Sequence, residues 1–159
     1  MTVMKVFILA VAIAFAAPAV AQEAGNMTME IVKEKVKADK KLLVAANMNL
    51  TDAEAKAFWP LYDGYQKELE QINQRLGNTI KSYADAYNGN KGMIPNETAK
   101  KLLAETLAAD EAELKLRQTY AAKLERALPA TKAARYLQIE NKIRAILKFE
   151  LAAQIPLVN

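Results

Sequence analysis

A long apolar repeat between Thr51 and Tyr87 constrains the fold of this chain more than any other feature of its sequence. Its members recur at steps of three and four residues, which is the spacing of one face of an α-helix. At about 1.5 Å per residue, a helix of this length extends roughly 50 Å. Other long helices must cover such a face, either from the same chain or from a second copy. The members of the repeat are Phe58, Leu61 or Tyr62, Tyr65, Leu69, Ile72, Leu76, Ile80, Tyr83 and Tyr87.

Local signals predict where this helix begins and ends. Thr51 is followed three residues later by Glu54, which is the pattern of a capping box. In such a box the hydroxyl accepts a hydrogen bond from a first-turn amide, and the carboxylate accepts one from the cap amide. Pro60 lies two turns inside the helix and predicts a kink there. Residues 88–92 are rich in Asn and Gly and predict a turn that ends the helix.

Three more helices are predicted on either side of the long one. The first covers about residues 28–47, the third is Asn96–Leu128 with Asn96 as its cap, and the fourth is Ala130–Gln154 with Pro129 in its first turn. No segment alternates with a period of two for long enough to form a sheet. The predicted fold is therefore all-α, with four helices in antiparallel long hairpins, either as a monomeric bundle or as an intertwined dimer.

Apolar residues of the third and fourth helices predict which of their faces are buried. The tail 155–159 is also apolar, so we expect it to dock onto the domain or onto a partner. The expected stripe of the third helix consists of Leu103, Leu107, Leu114, Leu124 and Leu128. The expected stripe of the fourth consists of Tyr136, Ile139 or Glu140, Ile143, Ile146 or Leu147, and Leu151.

The first 21 residues have the pattern of a cleavable secretory signal peptide. Lys5 precedes the apolar run Val6–Ala17, and small residues follow that run up to Ala21. The run is short for a membrane span, and an uncleaved N-terminal anchor is the alternative. Cleavage after Ala21 would leave a flexible leader over 22–27 and one all-helical domain over 28–159, with no further membrane segment. The expected location is the periplasm or the cell exterior.

The sequence contains neither Cys nor His. This excludes disulfides, thiol and imidazole nucleophiles, and the common ligands of zinc and copper. We predict no enzyme activity, no cofactor and no metal site. Asp110 and Glu113 are carboxylates near one face of the third helix, where they can hold a hard cation or act as an acid and base pair. An ion pair with Arg117 is the simpler interpretation.

Basic and aromatic residues supply a candidate contact surface for a partner. The lysines between Lys33 and Lys41 can attract anionic groups, although the acids among them also fit a solvated helix face. The rings around Trp59 can bind a ligand or anchor the core where helices cross. Export and the modest formal charge of +4 disfavour nucleic acid as a partner. The candidate partner-binding residues are Lys33, Lys37, Lys40, Lys41, Met48, Phe58, Trp59, Tyr62, Arg117 and Arg135.

Two predicted helix starts resemble a known family. Leu50-Thr51-Asp52-Ala53-Glu54 is similar to the Leu-Thr-x-x-Gln motif of the Spy and CpxP superfamily of periplasmic helical-hairpin proteins. Leu128-Pro129-Ala130-Thr131-Lys132 stands where the second copy of that motif would stand and keeps only its Leu. The resemblance implies cradle-shaped dimers that act as chaperones or as stress and metal sensors. Metal-sensing members of the family rely on His, which this chain lacks.

These observations predict an exported helical binding protein that is chaperone-like or serves as a stress-response interaction module. Its expected partners are proteins, namely unfolded clients, a periplasmic or membrane partner, and a second copy in a homodimer. The alternative is a sensor or regulatory protein that docks onto a membrane receptor through its apolar tail or its basic first helix. An enzyme that uses carboxylates, Lys, Tyr or Ser82 is a third hypothesis.

Overall fold

A computed structural model describes residues 37–158 of the chain. Residues 37–48 are helical (α1), and three longer helices follow: α2 (Asp52–Gly89), α3 (Asn96–Ala127) and α4 (Ala130–Gln154). No strand occurs between residues 37 and 158. The all-α prediction with four helices is therefore confirmed for this part of the chain.

Several predictions concern residues outside the described range. They are the signal peptide over 1–21, the leader over 22–27, the part of the first helix before residue 37, and the role of Lys33. The chain divides after Leu42 into two units. Within the first unit, residues 37–42 are helical and mostly exposed. None of the described helices is both long enough and apolar enough to cross a bilayer.

The capping box at the start of α2 is present. The Thr51 hydroxyl accepts a hydrogen bond from the Glu54 amide, and the Glu54 carboxylate accepts one from the Thr51 amide at 2.8 Å. Pro60 lies inside the helix, which continues past it to Gly89. The turn that follows holds Lys91 and Gly92 in the left-handed region, with φ of 53° and 88°. The predicted end of the long helix is therefore confirmed to within two residues.

The starts of α3 and α4 differ from prediction in the role of their prolines. Pro95, rather than Asn96, occupies the cap of α3, and no side chain makes a capping hydrogen bond there. Pro129 likewise caps α4 from outside its first turn. Both prolines have ψ near 140°, so the chain becomes helical only after them, and each proline carbonyl accepts a first-turn amide. The predictions that Asn96 is a cap and that Pro129 is a first-turn residue were wrong.

Aromatic rings from three helices form the centre of the core. Phe58 and Tyr65 of α2 both pack against Tyr136 of α4, with ring centroids 5.1 and 5.9 Å apart, and Tyr65 also packs edge-on against Tyr120 of α3 at 5.4 Å. Edge-to-face contacts of this kind add to the apolar area that the rings bury. We call this region the aromatic core. Around the rings lie Val44, Met48, Tyr62, Leu69, Leu116, Leu124, Leu128 and Ala133.

The apolar repeat of α2 is buried only in its first half. Phe58, Tyr62, Tyr65 and Leu69 are buried, whereas the members from Ile72 onward are only half-buried. The predicted seam is therefore confirmed up to Leu69, and the rest of it is only partly covered.

The predicted stripe of α3 was largely wrong. Leu103, Leu107 and Leu114 are 61, 58 and 48% exposed. The buried face lies about 120° around the helix from them and includes small, charged and aromatic residues, so a pattern of leucines alone does not identify it. Leu124 and Leu128 of the predicted stripe are buried as expected. The buried residues within α3 are Ala109, Glu113, Leu116, Tyr120 and Leu124.

The predicted face of α4 holds near its start and fails near its end. Tyr136 and Glu140 are buried, and Ile143 is half-buried. Leu147 and Leu151 continue the same stripe by sequence spacing, yet they are 50 and 38% exposed. Ile146, the alternative to Leu147 in the prediction, is 64% exposed. Every residue from 145 to 154 is exposed, including Lys148, although its side chain reaches Asp110 of α3.

Candidate functional site

Exposed leucines of α3 and α4 are close in sequence to the two members of one interhelical ion pair. Lys148 Nζ is 3.0 Å from Asp110 Oδ1, and both side chains remain about half exposed. Leu107 and Leu114 are three and four residues from Asp110, so they share its side of α3. Leu147 and Leu151 are one and three residues from Lys148 on α4. We call these four leucines with Leu103 the open seam.

A buried polar network lies between the open seam and the aromatic core. The Arg144 guanidinium of α4 donates to the Glu113 carboxylate of α3, with Nε 2.9 Å from Oε2, and also to Asn73 of α2. Gln66 of α2 donates to Glu140 of α4 at 2.8 Å. The Glu113 and Arg144 side chains are only 6 and 14% exposed. Three helices are thus tied together by groups that would be costly to bury without partners.

This network corrects the predicted partner of the α3 carboxylates. Glu113 pairs with Arg144 and Asp110 with Lys148, so the ion pairs are interhelical, but neither uses Arg117. Arg117 Nε is buried and has no hydrogen-bond partner within residues 37–158. Sequence spacing predicts ion pairs between residues four apart on one helix. It does not predict the pair of Glu113 with Arg144, which are 31 residues apart and on different helices.

The Asp110 and Glu113 carboxylates each pair with a cation of α4, so in this fold they are engaged in ion pairs rather than in a metal site or an acid and base pair. Among residues 37–158, no group of three or more acidic side chains is arranged to hold a metal ion. The described geometry gives Asp110 and Glu113 a role in joining α3 to α4.

Burial keeps the hydroxyls of the core tyrosines neutral. Burial, with the nearby Glu140 carboxylate, raises the pKa of Tyr136 well above its usual value, and burial does the same for Tyr65. Burial and the hydrogen bond to Glu68 raise the pKa of Tyr120 to about 12. Tyr120 donates to Glu68 at 2.7 Å. These hydroxyls therefore stay protonated at neutral pH.

The capping box of α2 is also joined to the start of α4. Lys132 Nζ donates to the Glu54 carboxylate and to the Asn49 carbonyl, the latter at 2.9 Å. The hydrogen bond from Lys132, followed by that from the Thr51 amide, holds the pKa of Glu54 below its usual value. Sequence reasoning missed this contact. The sequence signal for it is the opposite charge of Glu54, in the segment Leu50–Glu54, and Lys132, in the segment Leu128–Lys132.

Nine of the ten predicted partner-binding residues lie within residues 37–158, and they fall into two groups. Met48, Phe58 and Tyr62 are buried in the core, and half-buried Trp59 packs on Phe58 and Tyr62. In this fold their side chains contact the chain itself, and for the three aromatic residues this agrees with the core-anchor interpretation. At least partly exposed are Lys37, Lys40, Lys41, Arg117 and Arg135.

One hydrogen bond joins the described part of the apolar tail, residues 155–158, to α2. Tyr83 of α2 donates its hydroxyl hydrogen to the Pro156 carbonyl at 2.7 Å. Leu157 and Val158, which follow, are 86 and 57% exposed. The tail backbone therefore docks on α2, while these apolar side chains remain open to solvent.

Comparison of the chain with protein-family models, with curated proteins and with solved structures finds no match.

Proposed function

We propose that this chain is an exported, non-catalytic helical binding protein of chaperone-like activity, which acts in the periplasm after loss of residues 1–21. Its open seam holds apolar segments of unfolded proteins. The observation that carries the proposal is the exposure of Leu107, Leu114, Leu147 and Leu151, between 38 and 58%, on helices whose other faces form the buried aromatic core. The resemblance to the Spy and CpxP superfamily implies the same role and remains a prediction.

The open seam offers a modest driving force for binding. Full burial of a Leu side chain is worth about 1.5–3 kcal/mol, so covering the remaining half of each would contribute about 1 kcal/mol per residue. Four such residues provide enough for reversible binding after the cost of ordering the bound segment. Weak and reversible contact suits a protein that must release its client.

The charges within the seam favour a transient client over a permanent subunit. The Asp110 and Lys148 ion pair is close in sequence to these leucines and is about half exposed. Obligate interfaces are depleted of charge at their centres, whereas mixed apolar and charged surfaces are common in transient contacts. An unfolded chain can place apolar side chains on the leucines and leave the ion pair at the edge of the contact.

We also infer the arrangement of the helices from the order of their contacts. Residues with higher numbers on α2 contact residues with lower numbers on α3. Glu68 of α2 contacts Tyr120, whereas Arg75, further along α2, contacts Glu105. This order supports antiparallel long hairpins. The predicted homodimer stays a proposal, for which the solution molar mass of the mature chain is the test.

Aggregation of a chemically denatured model protein, measured by light scattering, tests the chaperone proposal. We expect the purified chain to suppress scattering in proportion to its concentration. The double variant Leu147→Ser/Leu151→Ser should lose most of this effect. No suppression at several-fold molar excess of the unaltered chain would refute the proposal.

The matched control for this experiment lies on the opposite side of the same helix. Ile146 and Phe149 are 64 and 73% exposed, and their spacing directs them away from α3. The variant Ile146→Ser/Phe149→Ser should therefore keep most of the activity. Equal losses in the two double variants would show that general surface hydrophobicity, and not the open seam, holds the client.

The exposed tail favours a second candidate, a sensor that docks onto a membrane receptor. Leu157 and Val158 carry little contact with the rest of the chain and are available to a partner. Co-purification from a periplasmic extract separates the two functions, because a sensor should bring one stoichiometric partner and a chaperone many.

A further inference from the structure

An open cleft of about 340 Å³ lies between one wall, formed by the end of α1 and the segment that follows it, and one side of α4. Its volume is at the lower end of the range for small-ligand sites, about 300–1,000 Å³. The lining contains two cations and three side-chain amides but no acid. The lining residues are Ala46, Asn47, Asn49, Arg135, Gln138, Ile139 and Lys142.

The two cations of the cleft differ from the other cations of α4. That helix carries five, of which Lys132, Arg144 and Lys148 each pair with an acid on another helix. The remaining two, Arg135 and Lys142, both line the cleft, and neither has an ion-pair partner within the described range 37–158. Their positive charge is therefore available to a ligand.

The geometry of α4 directs these groups into one place. Arg135, Gln138 and Lys142 are spaced by three and four residues, so they form one row along the helix. The opposite wall includes Asn49, whose backbone is in the left-handed region with φ of 48° and whose carbonyl is held by Lys132. The wall is thus anchored independently of any ligand.

We propose that this cleft binds a small oxyanion, with Arg135 and Lys142 supplying charge and Gln138 and Asn49 supplying neutral donors. A guanidinium presents paired donors that match the oxygens of a carboxylate or a phosphate, and an ammonium adds a second charge. Carboxylate and phosphate ligands share this chemistry. The site is separate from the open seam, so it does not depend on the proposed chaperone function.

Isothermal titration of the full chain with inorganic phosphate and with succinate tests the proposal, with chloride added to keep the ionic strength constant. We expect saturable binding of at least one of them below about 10 mM. Binding of phosphate alone or of succinate alone supports the site and identifies the source, and binding of both supports a general oxyanion site. Binding of neither overturns the proposal.

Variants then locate the binding. Arg135→Gln and Lys142→Gln should each weaken affinity about tenfold or more. Lys67→Gln makes the same charge change outside the cleft and should leave affinity within about twofold. Unchanged thermal unfolding, checked by circular dichroism, shows that each variant is folded, which is expected because both cleft cations are exposed. Equal weakening by all three variants, or by none, would contradict the proposed location.

Discussion

The aromatic core and the open seam share helices α3 and α4, yet their apolar residues are buried to different degrees. Phe58 and Tyr136 are completely buried, whereas Leu107 and Leu147 are at least half exposed. In the core, large rings span the distance between helices and pack edge-on. At the seam, α3 and α4 are joined instead by long charged side chains such as Lys148. Charge holds the helices together there without closing the apolar surface.

The largest expected contrast is between two phenylalanines. Phe58→Ala removes a fully buried ring and should lower the free energy of unfolding by about 3–5 kcal/mol. Phe149→Ala removes a ring that is 73% exposed and should change it by less than about 0.5 kcal/mol. Urea unfolding followed by circular dichroism measures both. Similar losses in the two variants would mean that the end of α4 is covered in solution.

The two ion pairs between α3 and α4 should contribute differently to stability, because the Glu113 and Arg144 pair is buried and the Asp110 and Lys148 pair is half exposed. Arg144→Met leaves Glu113 buried without its main cation and should cost about 3 kcal/mol in unfolding free energy. Lys148→Met loses a half-exposed pair and should cost under about 1 kcal/mol. The double variant Glu113→Leu/Arg144→Met should recover most of the first loss, because no uncompensated charge remains. A double variant less stable than Arg144→Met would show that the network contributes more than paired charge.

Two glycines of α2 provide a finer test of packing. A Cβ on Gly64 would lie 2.7 Å from the Tyr120 hydroxyl oxygen, so the ring must move and its bond to Glu68 must lengthen or break. Gly64→Ala should therefore lower the unfolding free energy by about 1–2 kcal/mol, despite the better helix propensity of Ala. A Cβ on Gly77 would have no neighbouring atom within 4 Å. Gly77→Ala should therefore raise the unfolding free energy by about 0.5–1 kcal/mol. Stabilisation by both substitutions would place Tyr120 away from Gly64.

The smallest expected effect concerns acid. Lys132 lowers the pKa of Glu54 in the folded chain, so folding is favoured above the ordinary pKa of a Glu and this contribution is lost as pH falls through the lowered value. Urea unfolding at neutral pH and at pH near 3 should show a smaller pH-dependent loss in Glu54→Gln than in the unaltered chain. An unchanged difference between the two pH values would exclude the Glu54 and Lys132 contact as a source of acid sensitivity.

Local signals in the sequence predicted the helices well. The capping pattern at Thr51, the glycine and asparagine turn after Gly89, and the proline before Ala130 act within a few residues, so they can be read without the tertiary fold. The exceptions were the roles of Asn96 and Pro129, because in each case a proline occupies the cap position just before the first helical residue. The backbone of Pro95 already provided an extended residue followed by helix.

Burial and pairing could not be predicted to the same degree. The stripe of Leu103, Leu107 and Leu114 was chosen for hydrophobicity, whereas the buried face of α3 uses Glu113 and Tyr120. A buried Glu is stable only because Arg144 arrives from another helix, and no local pattern contains that information. The same limit applies to the open seam, since exposure depends on which helices are missing from around it.

Amide hydrogen exchange measured by mass spectrometry, with and without an unfolded client, tests the central claim most directly. In the free chain, we expect strong protection for residues 58–69 of α2 and weak protection for residues 145–154 of α4, because only the former lie in a closed core. A client, supplied as a permanently unfolded, alkylated polypeptide, should raise protection at 145–154 and along 103–114 of α3 while leaving 58–69 unchanged. Uniform protection in the free chain, or client-dependent changes confined to other segments, would contradict the account.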